Sequence, residues 1–223
     1  MAAPPPRHPP EAEAGGVFIT LEGGDGSGKS TQARALAKRL RRGGYAVVLT
    51  GEPAGTGLGR TVKSLLEWLG SPAAAAAINP RTEMLIFEAR RAQHVEEVIR
   101  PALERGDVVL CDRFTDSTLA YQGYGRGLDP ADIESCNRIA TGGLRPDLTL
   151  LLDIAPEEGL ARAGTADDAI GREPLAFHER VRRGFLELAR REPERCVVLD
   201  AALPPDVVTR AAWDRVQALL PPV

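Results

Sequence analysis

Short, mainly apolar runs recur along the chain, at 17–21, 46–49, 108–111, 147–154 and 196–199. Most are nearly continuous, which is the pattern of strands buried on both faces. Between the runs the spacing changes to a helical one. Ala33, Leu36, Ala37 and Leu40 share a face, and Gly43-Gly44 stops that helix. A helix is predicted over 58–69, and 71–78, with its consecutive alanines, reads as a connector. Asn79-Pro80 is a good helix start, and a long helix to about Arg105 follows, with a core stripe of Leu85, Ala89, Ala92, Ile99 and Leu103. Phe87 and Arg91 are four apart on a second face of it, an arrangement that suits a binding surface. Further helices are predicted over 129–141, 156–163, 175–191 and 206–220. Strands alternating with helices imply an α/β fold, a five-stranded parallel sheet with helices on both faces. Residues 1–16, rich in proline and alanine, read as a disordered leader, and 17–223 as one domain.

The turn after the first run changes this from a fold prediction to a chemical one. Gly23-Gly24-Asp25-Gly26-Ser27-Gly28-Lys29-Ser30 satisfies G-x-x-x-x-G-K-[ST], with Thr31 next, between a strand and a helix. A triphosphate must lie against bare N–H groups, and glycine lets the chain curl without a side chain in the way. The following helix aims its unpaired N–H groups at the same anion. Lys29 can reach the outer phosphates, and the Ser30 hydroxyl can ligate Mg²⁺. The third run delivers Asp112-Arg113 at its carboxyl end, where ligands sit in open parallel sheets, and Asp112 fits the acidic magnesium partner of such a loop. The stretch 114–126 is a dense polar and aromatic group holding Thr118, Tyr121 and Gln122. The stretch 164–172 is polar and flanked by Arg162 and Arg172, so a mobile lid over 162–174 is expected.

Composition narrows the classes. Hydrophobic residues are 43% and charged residues 26%, the mix of a soluble globular protein, and a net charge of −3 gives no basic field for nucleic acid. No apolar run is long enough to span a membrane, and the N-terminus lacks the apolar core of a secretion signal. Cys111, Cys136 and Cys196 are far apart and unpatterned, so reduced, buried thiols in a cytoplasmic protein are expected.

Several stretches together resemble the thymidylate kinase family of P-loop nucleoside monophosphate kinases. They are LEGGDGSGKST at 21–31, EPAGT at 52–56, FEARRAQHVEEVIRPAL at 87–103 and DRFTDSTLAYQGYGRGL at 112–128. PDLTLLLDIAPEEGLAR at 146–162 and LAFHERVRRGFLELARREPERCVVLDA at 175–201 agree with them. The resemblance implies transfer of the γ-phosphoryl group of ATP to thymidine monophosphate (dTMP) in nucleotide biosynthesis, with Mg²⁺, by a homodimer. It implies that Lys29 serves the phosphates, Ser30 and Asp112 the magnesium, and Arg113 the acceptor phosphate. Asp25 matches the carboxylate that holds the sugar 3′-hydroxyl. Phe87 matches the ring that stacks on thymine, Arg91 a contact to the base or acceptor phosphate, and Thr118 and Gln122 the base-edge hydrogen bonders. Tyr121 matches the residue that crowds the 2′ position.

The chain departs from the family pattern at four places. Gly51 stands where arginine usually precedes the Glu-Pro pair, and Ala54 replaces the first of two glycines. The lid reads Asp168-Ala169-Ile170-Gly171 in place of an Asp-Arg-aromatic-Glu pattern, and Gly26 takes a loop position where some members carry arginine. Members without that loop arginine supply one from the lid, which points to Arg162 and Arg172. Two other readings are open. One is a kinase for another monophosphate such as adenylate, against which Thr118, Tyr121 and Gln122 argue. The other is a non-catalytic nucleotide-binding protein with an eroded lid, suggested by Gly51, Ala169 and Gly171.

Overall fold

A computed structural model describes residues 15–52, 56–69, 78–164 and 170–221. Most of the predicted leader, Ala54, most of the alanine connector, and Asp168-Ala169 of the predicted lid lie outside the described residues. The elements begin with β1 (Val17–Glu22), α1 (Lys29–Arg42), β2 (Val47–Gly51), α2 (Gly57–Leu69) and α3 (Pro80–His94). A π-helical segment, Val95–Ile99, joins α3 to α4 (Arg100–Glu104), and β3 (Val108–Asp112) follows. Next come α5 (Thr115–Thr118), a second π-helical segment Leu119–Gly125, α6 (Pro130–Thr141) and β4 (Leu148–Asp153). The chain ends in α7 (Pro156–Ala163), α8 (Leu175–Arg191), β5 (Cys196–Asp200) and α9 (Pro205–Gln217).

As expected, the five strands are all parallel; their order is β2-β3-β1-β4-β5. Every residue of β1 is buried, because β3 and β4 flank it and helices cover both faces. Ile19 and Leu21 face Leu36 and Leu40 of α1 and Val208 and Ala212 of α9. Phe18, on the other face, packs with Ile99, Leu103 and Phe114. The alternation sends Glu22, last in β1, to the same face as Phe18 and under α5. Helix starts follow local chemistry. Asn79 and Asp129 each accept the N–H two residues on, and each is followed by proline.

Two expectations are corrected here. The predicted core stripe of the long helix holds only at Ile99 and Leu103. Leu85 is 54% exposed, Ala89 is exposed and Ala92 half-buried. The buried face of α3 is instead Glu83, Met84, Glu88, Arg90, Arg91 and His94. Two causes explain it. These charged groups satisfy one another, so they enter the core as a set, and the π-helical segment rotates the helix out of a single 3.6-residue phase. The segment after Arg113, for which no helix is predicted, is helical through α5 and Leu119–Gly125. Its polar residues defeat a hydrophobic-period reading because they too are buried.

Candidate active site

The phosphate loop closes β1 onto α1. Gly23, Gly26 and Gly28 have φ of 136°, 70° and 90°, which side-chain-bearing residues rarely adopt. A Cβ on Gly23 would overlap the carbonyl of Leu152, and one on Gly26 the carbonyl of Gly159, so the loop is seated between β4 and α7. The close approach of Gly159 and the positive φ leave position 26 to glycine. Gly28 caps α1 without a side chain, leaving the first-turn N–H groups directed at the loop's concavity. Lys29 lies inside it, donating to the carbonyls of Gly23 (3.0 Å) and Gly24 (2.7 Å). Burial and the nearby Arg113 lower its pKa to about 8, against the opposing pull of Asp25, Asp112 and Glu22. A cation held this way gains from an incoming anion.

Ser30 Oγ donates to Asp112 Oδ2 at 2.5 Å, joining the first turn of α1 to the end of β3. This pair offers the hard oxygens that Mg²⁺ prefers. Among the described residues no three His, Cys, Asp or Glu side chains gather as a metal site. A magnesium ion on Ser30 and Asp112 would therefore complete its shell with phosphate oxygens and water, its usual mode in phosphoryl transfer.

Arg113, one residue on, has φ 72°, the one positive value at a non-glycine among the described residues. Its Nη2 meets Asp25 Oδ1 at 2.5 Å, and Nη1 donates to Gly23 O (3.2 Å) and Ser117 Oγ (3.3 Å). Its guanidinium carbon lies 5.0 Å from the centre of the Tyr121 ring. Burial would raise the pKa of Asp25, but Arg113 and Lys29 outweigh it and hold the carboxylate below its usual range. Burial pushes the Tyr121 phenol up, so it is a neutral hydroxyl beside that ion pair.

The structure thus brings together residues 23–31, Asp112, Arg113 and Tyr121 at the carboxyl edge of β1 and β3. Phe87 and Arg91 lie on α3, and Thr118 and Gln122 on the helical stretch packed against it, while Arg162 and Arg172 lie elsewhere. Phe87 is half-buried, with the Arg90 guanidinium carbon 5.0 Å from its ring centre. Thr118 is buried beside Glu88, and Gln122 Nε2 donates to Glu83 at 2.8 Å. Arg91, predicted on a non-core face, is 1% exposed. It is bound to Glu52 (2.8 and 3.1 Å), Glu88 (2.5 Å), Asn137 (2.7 Å) and the carbonyl of Phe114 (3.1 Å). Arg162 turns to the carbonyl of Ala201 (2.8 Å) and to Glu158 (2.5 Å), at the end of β5. Arg172 is exposed in the turn before α8.

Sequence reasoning missed three acids. Glu22 and Glu52 are 0% and 8% exposed, the first ending β1 and the second directly after β2, and Asp116 is salt-bridged to Arg195 at 2.8 Å. An acid at the carboxyl end of a strand in an open parallel sheet is the signal that could have found the first two. It also missed His178. This histidine lines a cleft of about 400 Å³, partly open to solvent, with Gly24, Asp25, Asp153 and Arg182.

Known proteins resemble this chain over most of its length. The thymidylate kinase family model matches residues 21–212. A thymidylate kinase of Thermomicrobium roseum is 53% identical over 206 residues, covering 91% of this chain and 95% of that one. One from Deinococcus radiodurans is 50% identical over 200 residues, covering 89% and 95%. The crystal structure of thymidylate kinase from Ehrlichia chaffeensis superposes with a TM-score of 0.73 at 36% identity, covering 91% of this chain and 99% of that one.

Proposed function

The chain belongs to the thymidylate kinase family, and we propose accordingly that it transfers the γ-phosphoryl group of ATP to dTMP, giving the diphosphate. The observation that carries this reading is the meeting of two pairs around Lys29: Ser30 with Asp112, and Asp25 with Arg113. The first pair suits a donor triphosphate with its metal, the second an acceptor that brings a hydroxyl and a phosphate. Phosphoryl transfer asks the protein for little besides alignment and charge neutralisation, and these side chains supply both.

In this reading the loop N–H groups and Lys29 hold the donor phosphates. Ser30 and Asp112 would hold Mg²⁺, which would offset the phosphate charge. Arg113 takes the acceptor phosphate, for which a planar fork is suited, and Asp25 takes the sugar hydroxyl. Tyr121 lies against the sugar, Phe87 stacks on the base, and Thr118 and Gln122 read its edge. Arg91 fixes Glu52 and Glu88 behind that pocket, and so acts on the base through the wall it holds. Arg162 and Arg172 flank the expected lid and are the arginines this reading nominates for further positive charge, Arg162 by leaving Glu158 and the Ala201 carbonyl. The test is to mix the purified protein with ATP, Mg²⁺ and each nucleoside monophosphate in turn. We expect diphosphate from dTMP at a kcat/KM at least tenfold above that for any purine or ribose monophosphate. No product from dTMP would end the reading.

The protein is read as a homodimer working in the cytoplasm. Ile139 on α6 is 79% exposed and Leu85 on the adjoining α3 54%, with Leu58 and Leu65 of α2 also exposed. Exposed apolar residues spread over neighbouring helices mark an association surface. Light scattering should give twice the chain mass for the wild type and the single chain mass for Ile139→Asp. A monomeric wild type would remove this part of the proposal. No helix among the described residues is long and apolar enough to cross a membrane, and Cys111, Cys136 and Cys196 are free thiols, which suits a reducing compartment.

A further inference from the structure

Glu22 is wholly buried at the end of β1, and both of its carboxylate oxygens are used. Oε1 accepts the N–H of Phe114 at 2.7 Å, and Oε2 accepts the hydroxyl of Ser117 at 2.6 Å. A carboxylate is an expensive way to satisfy one amide and one hydroxyl in a core, since burial disfavours its charge. Burial and the neighbouring Asp116 raise its pKa, while Ser117, Arg113 and the Phe114 N–H pull the other way, and both hydrogen-bond partners are donors aimed at the ionised form. Its partners show what it does. They follow directly on the turn that carries Arg113, whose φ of 72° is a conformation the residue would not choose. That turn hangs from β1 at two points. The Arg113 N–H bonds Leu21 O at 3.0 Å, and the next N–H bonds Glu22.

The side chains continue the connection. Ser117 gives its proton to Glu22, so its lone pair is left to accept Arg113 Nη1, at 3.3 Å. The other Arg113 nitrogen meets Asp25 at 2.5 Å. We propose that Glu22 is the positioning residue for the acceptor side of the site: through Ser117 and the Phe114 N–H it holds Arg113 in the strained turn that points its guanidinium at Asp25. This rests on the reading of Arg113 as the acceptor-phosphate residue. Glu22 itself touches neither nucleotide in that reading. It acts by fixing both the backbone of Arg113 and the direction of the Ser117 hydrogen bond.

Glu22→Gln preserves the shape and tests the direction. The amide oxygen can still accept the Phe114 N–H, but the amide nitrogen then faces Ser117 as a donor. The serine proton loses its acceptor and competes with the guanidinium. With the wild type turning over dTMP as the baseline, Glu22→Gln should raise the KM for dTMP at least tenfold. The KM for ATP should move less than twofold and kcat less than threefold. Ser117→Ala, which removes only a hydroxyl, should shift the KM for dTMP in the same direction, and the double variant should be no worse than the poorer single one. A folded Glu22→Gln enzyme with a KM for dTMP within twofold of wild type would overturn the proposal. So would equal losses for both substrates, which is the mark of a merely structural residue. If Glu22→Gln does not fold, Ser117→Ala decides alone, and an unchanged KM for dTMP there counts against it. A wild type inactive on dTMP would instead overturn the functional reading on which this rests.

Discussion

Replacing Lys29 by alanine should lower kcat by about 10³-fold, the scale of losing a main charge-stabilising donor in a transfer site. The ammonium sits 7% exposed between the carbonyls of Gly23 and Gly24, aligned before any nucleotide arrives. Charge that builds on the transferring group meets it with no rearrangement. The loss should therefore fall more on kcat than on the KM for ATP. The loop itself should survive, because its curl rests on glycine φ values and on contacts with Leu152 and Gly159. Thermal melting should accordingly move by only a few degrees. Lys29→Arg should not restore the rate, since a guanidinium is too wide for a space closed by two backbone carbonyls. A folded Lys29→Ala protein with kcat within tenfold of wild type would undo the assignment of the loop.

Much of this site was legible in the chain because its chemistry depends on backbone. A phosphate loop needs glycine at fixed places and lysine and serine after it, so Gly23, Gly28, Lys29 and Ser30 announce themselves. The five strands were equally plain as apolar runs, although β2 and β5, at the edges of the sheet, are partly exposed. What stayed hidden is what folding does with charge. The long helix displays Leu85 and Ala89 to solvent and turns Glu83, Glu88, Arg90 and Arg91 inward. A periodicity argument assumes that charge faces water, and it fails where distant acids meet the arginines. Glu52, Arg91 and Asn137 are far apart in the chain and touch only because β2, α3 and α6 are brought side by side. Glu22 escaped for the same reason, as its partners Phe114 and Ser117 are more than ninety residues away. The Arg113 turn was legible as a residue pair but not as a strained conformation, because positive φ at an arginine has no sequence signature.

Glu52→Ala should destabilise the fold by about 3–5 kcal/mol, the range for removing one member of a buried ion pair. Glu52 is 8% exposed and accepts from two arginines, Arg90 at 2.9 Å and Arg91 at 2.8 and 3.1 Å. Arg91 would keep Glu88, Asn137 and the Phe114 carbonyl. Arg90 has no such reserve, for its Nε and Nη1 already lack partners among the described residues. Removing Glu52 would thus leave a guanidinium buried and uncompensated. In a chain of this size that loss lowers Tm by roughly 6–20 °C. Acid titration gives a second signature. Burial raises the pKa of Glu52, but Arg91, His94 and Arg90 more than reverse this, so its folded value lies well below the ordinary 4.5. Its stabilising contribution is therefore complete above about pH 4.5 and is lost as pH falls toward that depressed value. Glu88 works in the opposite sense, because burial raises its pKa above 4.5 despite Arg91, so its ionisation weakens the fold as pH rises. Glu52→Gln retains an acceptor oxygen without the charge, so it should fall between alanine and wild type and lose the acid-side component of the stability profile. Glu187→Ala, which breaks exposed pairs with Arg190 and Arg191, should leave Tm almost unchanged under the same conditions. Denaturant melts of the three variants between pH 3 and pH 7 would read this directly. A Glu52→Ala protein within 1 kcal/mol of wild type at neutral pH would mean that the inward face of α3 is held by packing alone, with its charges incidental.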